Sequence, residues 1–211
     1  MRTAGAILAG GSSRRMGSPK ALLPVMDVPM AVRVGRVLRA AGADPVVLVG
    51  AGTPTAATLD MEWIADLTEG EGPLVGLATA LSWAQQLPGV EAVMVAACDQ
   101  VALEPATFEA LTAAVSTEGR PGPPSGESLS GAGAVSASVA VGDDGRVHPF
   151  PSGWRVELAD RLVELVASGE RRALAVMSLG AVEVLRPASE LVDLDTPEDL
   201  SAFRRDHESG G

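Results

Sequence analysis

The chain has 211 residues, 46% of them hydrophobic and 20% charged, which suits a globular domain and excludes a disordered chain. Its formal net charge of -11 counts against a sequence-independent nucleic-acid binder, which needs basic surface to displace counterions from phosphates. Its single cysteine, Cys98, excludes an internal disulfide and fits a reducing compartment, and no apolar stretch approaches the ~18 residues of a membrane span.

Taken in chain order, strands alternate with helices. Residues 3–9 read as a buried strand running into a Gly-rich turn. The apolar run followed by arginines at the N-terminus reverses the order of a secretory signal, so the expected setting is the cytoplasm, away from membranes. Residues 29–41 carry apolar side chains at helical spacing and stop near Gly42. Residues 45–49 form a β-branched run, 61–65 a short strand, and 66–72 a loop. Residues 73–87 start a helix with Pro73 in its first turn, and 90–97 make a strand that is apolar but for Glu91, ahead of Asp99 and Gln100. A helix follows at 105–115. The Pro-, Gly- and Ser-rich stretch 119–133 reads as an exposed loop. Residues 134–141 and 146–150 flank Asp143-Asp144-Gly145, a hairpin signal. An amphipathic helix at 157–168 and a strand at 181–185 come next. The last helix opens with Thr196 as N-cap, Pro197 and Asp199, and runs into a polar tail over 205–211. Strands apolar along their whole length, alternating with helices, argue for a parallel sheet covered on both faces. One domain over 1–211 is the expectation.

The strongest chemistry lies in residues 8–24, LAGGSSRRMGSPKALLP. Gly10 and Gly11 let backbone N–H groups approach a ligand, and Arg14, Arg15 and Lys20 put three cations into an otherwise acidic chain. Backbone donors beside cations suit a polyphosphate; the plain alternative is a surface loop with incidental charge. The pattern is neither a P-loop nor a dinucleotide fingerprint. Asp99 ends an apolar strand, the place where open parallel sheets bind ligands and where a carboxylate suits Mg2+, although a helix-capping or solvated role is also open to it. Cys98 has no His or second Cys near it in sequence and reads as a small buried hydrophobe. Asp193 and Asp195 are two apart and so can face one site; one of them serves a metal or caps the last helix. His207 lies in the polar tail, and no nucleophile–base set can be assembled, so covalent catalysis is not indicated.

The run L-A-G-G-x-S-x-R-M-G followed by K-x-L-L-P resembles the molybdenum cofactor guanylyltransferases and their close relatives, the cytidylyltransferases. The resemblance continues through GPLVGL at 72–77, CD at 98–99, GERR at 169–172 and DTPEDL at 195–200, nearly the whole chain in order. It implies an α/β fold: a three-layer α/β/α, Rossmann-like, mostly parallel sheet of the nucleotide-diphospho-sugar transferase type. It implies that Leu8, Ala9, Gly10 and Gly11 cradle the base and ribose, that Arg15 and Lys20 hold the triphosphate, and that Asp66 contacts base or ribose. Asp99 would hold Mg2+, with Asp195 as a second metal ligand. Asp193, His148 and Arg171 would face the acceptor. Three departures from the family pattern stand out: Asp at 193 and 195 where relatives carry Asn, Gly50 in place of an Asn, and Gln100-Val101 in place of x-Pro.

The implied reaction is Mg2+-dependent transfer of GMP from GTP to the phosphate of molybdopterin or its molybdenum complex, with release of pyrophosphate. The L-A-G-G form at Gly10 matches the guanylyl branch. The resemblance also leaves room for pterin-delivering protein partners and says nothing of oligomeric state. The alternatives are a cytidylyltransferase, a transferase acting on a sugar phosphate, and a non-catalytic nucleotide binder of the same fold.

Overall fold

The computed structural model describes residues 1–10, 18–68, 72–116, 135–142, 145–179, 182–186, 191–194 and 196–208. The expected loop at 119–133 therefore lies outside the described residues.

Strand β1 (Arg2–Leu8) is followed by a small ribbon of β2 (Pro24–Val25) and β3 (Val28–Pro29), then helix α1 (Met30–Ala40) and strand β4 (Val46–Val49). Helix α2 (Thr53–Leu59), strand β5 (Trp63–Ile64), helix α3 (Pro73–Gln85), strand β6 (Val90–Ala97) and helix α4 (Pro105–Val115) complete the first part. Strands β7 (Ala137–Val141) and β8 (Val147–Arg155), helix α5 (Ala159–Ala167), strand β9 (Val182–Leu185) and helix α6 (Pro197–Glu208) follow. The described strands build one seven-stranded sheet in the order β5-β4-β1-β6-β8-β7-β9, besides the β2–β3 ribbon. The β5-β4, β4-β1, β1-β6 and β7-β9 pairs are parallel, and β8 alone runs against its neighbours β6 and β7.

Alternation along the strands feeds two cores. In β1, Ala4 and Ala6 join a cluster with α3 and α5, whereas Ile7 points to the other face among Val34, Leu38 and Phe108 of α1 and α4. β6 divides likewise, Val93 and Val95 facing α3 and Met94 and Ala96 facing α1 and α4. Helices on both faces of the sheet make three layers, as expected. The α3 sequence PLVGLATALSWAQ is apolar on nearly every side because the helix packs both on the sheet and against α5. Gly76 gives it close approach, since a Cβ there would stand 3.2 Å from Leu8 Cδ2.

The structure corrects three details of the sequence reading. Helix α2 was not expected, its TPTAATL run being short and rich in β-branched threonine, yet Pro54 in its first turn and Thr55, Ala56 and Leu59 buried beneath it suffice. β8 continues past Phe150 to Arg155, although Pro149, Pro151 and Gly153 are poor strand residues. Gly153 fits there because Leu111 O of α4 comes within 3.0 Å of the position a Cβ would take. The helix expected over 157–168 opens as a 3-10 turn, Val156–Leu158, and becomes α-helical at Ala159. The stretch after Arg172 adds a 3-10 run, Ala173–Ser178. The start of α6 matches its sequence signature: Thr196 N–H donates to Asp199 Oδ2 at 2.8 Å and Asp199 N–H donates back to Thr196 Oγ1 at 3.1 Å.

Candidate active site

β1 has β4 on one side and β6 on the other, and the flanking helices α1 and α3 lie on opposite faces. The C-terminal ends of β1 and β6 are therefore where the connections diverge and a crevice opens. The two ends are level: Leu8 pairs with Ala97, and Cys98 N–H donates to Leu8 O at 3.1 Å. On the other side Ala9 N–H reaches Val49 O at 2.9 Å.

Two charged side chains from distant parts of the chain meet at this rim. Lys20 Nζ stands 2.7 Å from Asp99 Oδ2, with both side chains largely shielded from solvent. Lys20 opens a 3-10 turn, Lys20–Leu22, in which Leu22 N–H donates to Pro19 O and Leu23 N–H to Lys20 O, each at 3.0 Å. Ala21 anchors this turn in the α1-side core at 1% exposure, so the lysine is aimed by a buried neighbour. The Asp99 turn is held from three directions. Gln100, 3% exposed, accepts Ala97 N–H on Oε1 at 3.1 Å and donates from Nε2 to Phe150 O at 2.9 Å. Arg33 of α1 donates to Val101 O at 2.9 Å, and Leu194 N–H reaches Asp99 O at 3.4 Å. Burial, then the Asp99 charge, pushes the Cys98 thiol up to about 12, so it stays protonated and is no nucleophile.

Asp66 reaches the same rim from beyond β5. Its carboxyl packs against two glycines: a Cβ on Gly10 would stand 2.9 Å from Asp66 Oδ2, and one on Gly50 would collide with that oxygen outright. Gly50 has φ +74 and approaches Gly10 Cα, so this corner holds a carboxylate only because both positions lack side chains. Asp66 Oδ1 is buried and no described group donates to it, and burial holds its carboxyl above the ordinary value. The loop is pinned to α3 by Thr79, whose Oγ1 accepts Leu67 N–H at 3.0 Å and donates to Val75 O at 2.8 Å. A buried carboxylate oxygen with no donor among the described residues, beside bare backbone at Gly10 and Gly50, can be satisfied by a ligand's N–H or O–H groups.

Residues 5–184 match the model of the MobA-like NTP transferase domain. The chain belongs to the MobA-like NTP transferase family. A molybdenum cofactor guanylyltransferase of Rhodobacter capsulatus is 34% identical over 205 residues, spanning 95% of this chain and 94% of that protein. Among solved structures, molybdopterin-guanine dinucleotide biosynthesis protein A of Archaeoglobus fulgidus superposes with a TM-score of 0.72 at 20% identity, over 99% of this chain and 100% of that one. A Mycobacterium tuberculosis protein solved as a manganese complex gives a TM-score of 0.67 at 23% identity, over 97% and 99% of the two chains. The protein is thus a nucleotidyltransferase of the MobA-like family, and its fold is the one these structures share.

Within this MobA-like frame the remaining expected site residues fall into three groups. Leu8, Ala9 and Gly10 line the end of β1 beside Lys20, Asp66 and Asp99. Gly11, Arg14, Arg15 and Asp195 lie outside the described residues. Asp193 precedes Leu194, whose N–H meets the Asp99 carbonyl, so residues 191–194 run beside the Asp99 turn. His148 sits on β8 opposite Ala140, on the far side of β6 from Asp66. Arg171 spends its guanidinium on carbonyls, Nη1 donating to Val166 O at 2.7 Å and Glu170 O at 2.8 Å. Arg172 pairs with Glu170, and its hydrogen bonds hold that carboxyl down at about 2. An anion at Arg171 would therefore compete with contacts already made.

Two residues that shape the site had no functional reading from sequence. Thr79 lies inside a helix with nothing to mark it, and Gln100 showed only as part of an unusual loop after Asp99.

The donor set also says which metal would fit. Among the described residues no group of three His, Cys, Asp or Glu is gathered to hold an ion. Asp99 stands at the rim beside a lysine, outside any such group of three. That is unsuited to a closed zinc site and suited to a hard cation that keeps its waters and arrives on phosphate oxygens.

Proposed function

We propose that this MobA-like protein transfers GMP from GTP to the terminal phosphate of molybdopterin, with or without bound molybdenum, and releases pyrophosphate. An acceptor phosphate oxygen attacks the α-phosphorus of GTP. The bond from that phosphorus to the bridging oxygen of the β-phosphate breaks, and its electron pair leaves with pyrophosphate. No covalent intermediate on the protein is required, so positioning and charge stabilisation carry the reaction. Leu8, Ala9 and Gly10 supply backbone at the base and ribose, with Gly11 next in line. Asp66 accepts N–H or O–H groups of the nucleoside, which satisfies its buried oxygen. Lys20 and Arg15 hold the triphosphate and the departing pyrophosphate. Asp99 would hold Mg2+, with Asp195 as a second ligand; bound there, the ion neutralises charge on the phosphates. His148, Asp193 and Arg171 are the candidate acceptor contacts. The setting in this reading is the cytoplasm, and a pterin-delivering protein is the partner it leaves room for.

The observation that carries this reading is the Lys20–Asp99 pair at the ends of β1 and β6, a cation and a carboxylate 2.7 Å apart at the switch point. Guanine is favoured by Gly10, where a Cβ would press on Asp66, and by the guanylyltransferase name of the Rhodobacter capsulatus relative. The test is pyrophosphate release and dinucleotide formation from molybdopterin with Mg2+ and each of GTP, CTP, ATP and UTP. Product from GTP alone is the expected result. Product from CTP would overturn the base assignment, and nucleotide binding without product would overturn the activity.

A further inference from the structure

The β6–β8 ladder stops short of the site. Its pairs run from Ala92 with Arg155 to Val95 with Ser152, so Ala97 and Phe150 would face each other if the antiparallel register continued. They do not pair. Opposite β7 the register jumps from Val139 with Ser152 to Ala140 with His148, so residues 149–151 of β8 bulge out. Pro149 and Pro151 flank Phe150 and bring no N–H to either neighbour. The strands part here, and the opening lies between the Asp99 turn and His148.

Gln100 spans that opening. Its Oε1 accepts the Ala97 N–H at 3.1 Å, its Nε2 donates to Phe150 O at 2.9 Å, and its backbone N–H donates to Ala97 O at 3.3 Å. The planar side-chain amide thus presents an acceptor to one strand and a donor to the other, as a peptide unit inserted between them would. At 3% exposure it is shielded from competing water. It also follows Asp99 directly, so the residue that bridges the strands is bonded to the residue at the centre of the rim.

We propose that Gln100 is a positioning residue for nucleotidyl transfer, its amide replacing the missing rungs between β6 and β8 and so setting the acceptor-side stretch 148–150 against Asp99. The proposal rests on the roles given above to Asp99 and His148. Gln100 touches neither substrate; its two bonds act on different halves of the reaction. The Ala97 bond closes the Asp99 turn, which bears on metal–triphosphate binding. The Phe150 bond places the strand that carries His148, which bears on the acceptor.

The two bonds can be cut separately. Gln100→Glu keeps an oxygen for Ala97 N–H and loses the amide donor to Phe150, whereas Gln100→Met keeps the length and loses both. For Gln100→Glu the expected result is a fall of about tenfold to a hundredfold in kcat/KM for the acceptor, with the Kd for GTP in Mn2+ within about twofold of wild type. Gln100→Met should weaken both. Wild-type kinetics in both variants with only a lower Tm would reduce Gln100 to a structural residue and overturn the proposal, as would a GTP defect in Gln100→Glu as large as its acceptor defect. If neither variant folds, the wild-type side-chain amide decides by NMR. Protection from exchange with coupling across the hydrogen bond to Phe150 supports the bridge, and exchange at the rate of a solvated amide overturns it. If the wild type makes no product, the activity reading falls and the positioning role falls with it. The amide measurement then still tells a sound bridge from a failed one.

Discussion

The two halves of the sheet solve different problems. From β5 to β6 the strands run parallel and level, and their ends converge on one rim where Gly10, Lys20, Asp66 and Asp99 gather. From β8 to β9 the sheet is mixed, bulged at 149–151, and stitched by side chains: Gln100 to Phe150, Ser138 Oγ to Leu111 O at 2.7 Å, and Trp154 Nε1 to Ser152 Oγ at 2.8 Å. A parallel array offers the same backbone geometry at every strand end, which suits the invariant part of the substrate, a triphosphate. A mixed array bent by prolines offers a particular shape, which suits an acceptor. If the proposed roles of Asp99 and His148 hold, the contrast teaches that one fold separates a general nucleotide half from a particular acceptor half, with Asp99 on the seam.

Breaking the parallel half at its centre should cost most. Asp99→Ala and Lys20→Ala are each expected to lower turnover by roughly 10²–10³ or more, with triphosphate affinity also falling for Lys20→Ala. Pyrophosphate release in steady state checks both, and Mg2+-dependent activity surviving in Asp99→Ala would sink the metal assignment.

Damage to the mixed half should show in stability instead. Trp154 is fully buried beside Leu158, Leu162 and Val166, and Trp154→Ala should destabilise by about 3–5 kcal/mol. Denaturant unfolding measures it, and GTP affinity under conditions where the variant stays folded should match wild type. An equal loss of GTP affinity would mean that the halves are not separable.

Gly50→Ala sharpens the comparison on the nucleotide side. Its Cβ collides with Asp66 and its φ of +74 adds backbone strain of ~1–2 kcal/mol, so stability and GTP affinity should fall together. Unchanged affinity by calorimetry would show that Asp66 does not need its present place.

The smallest effect belongs to Asp66→Asn, and its sign is the informative part. Burial holds the Asp66 carboxyl above its ordinary 3.8, so the folded protein binds that proton more tightly than the unfolded chain. Wild-type stability therefore declines as pH rises from 3.8 through the raised folded value. Asn does not titrate. The variant should gain Tm relative to wild type at neutral pH, lose that advantage as pH falls toward 3.8, and bind GTP more weakly. A variant less stable than wild type at neutral pH would contradict the desolvation account.

The parallel half could be read from sequence because its signals are local and periodic. Residues 92–97 are apolar throughout, Pro73 and Pro105 start helices, and Thr196 with Asp199 caps one. The mixed half was harder because tertiary contact overrides propensity there. Nothing in Pro149-Phe150-Pro151-Ser152-Gly153 says strand until Leu111 O lies 3.0 Å from where a Cβ on Gly153 would be and Gln100 supplies the missing bonds. The site divides in the same way. Asp99 and Lys20 were named from their motifs, but their contact depends on the β1–β6 register, and the Asp66 corner depends on two glycines 40 residues apart in sequence.

The ion pair at the rim closes a loop of 79 residues, so its two charges meet only after β1, α1, β4 and β6 have all found their places. A ligand that needs both charges recognises the completed topology and no fragment of it. By mass action such a ligand adds to the stability of the whole chain, about 2.7 kcal/mol at a hundred times its Kd. If nucleotide is that ligand, its binding at the rim would be read as a rise in the unfolding temperature of the whole chain, which makes global folding a reporter of the site.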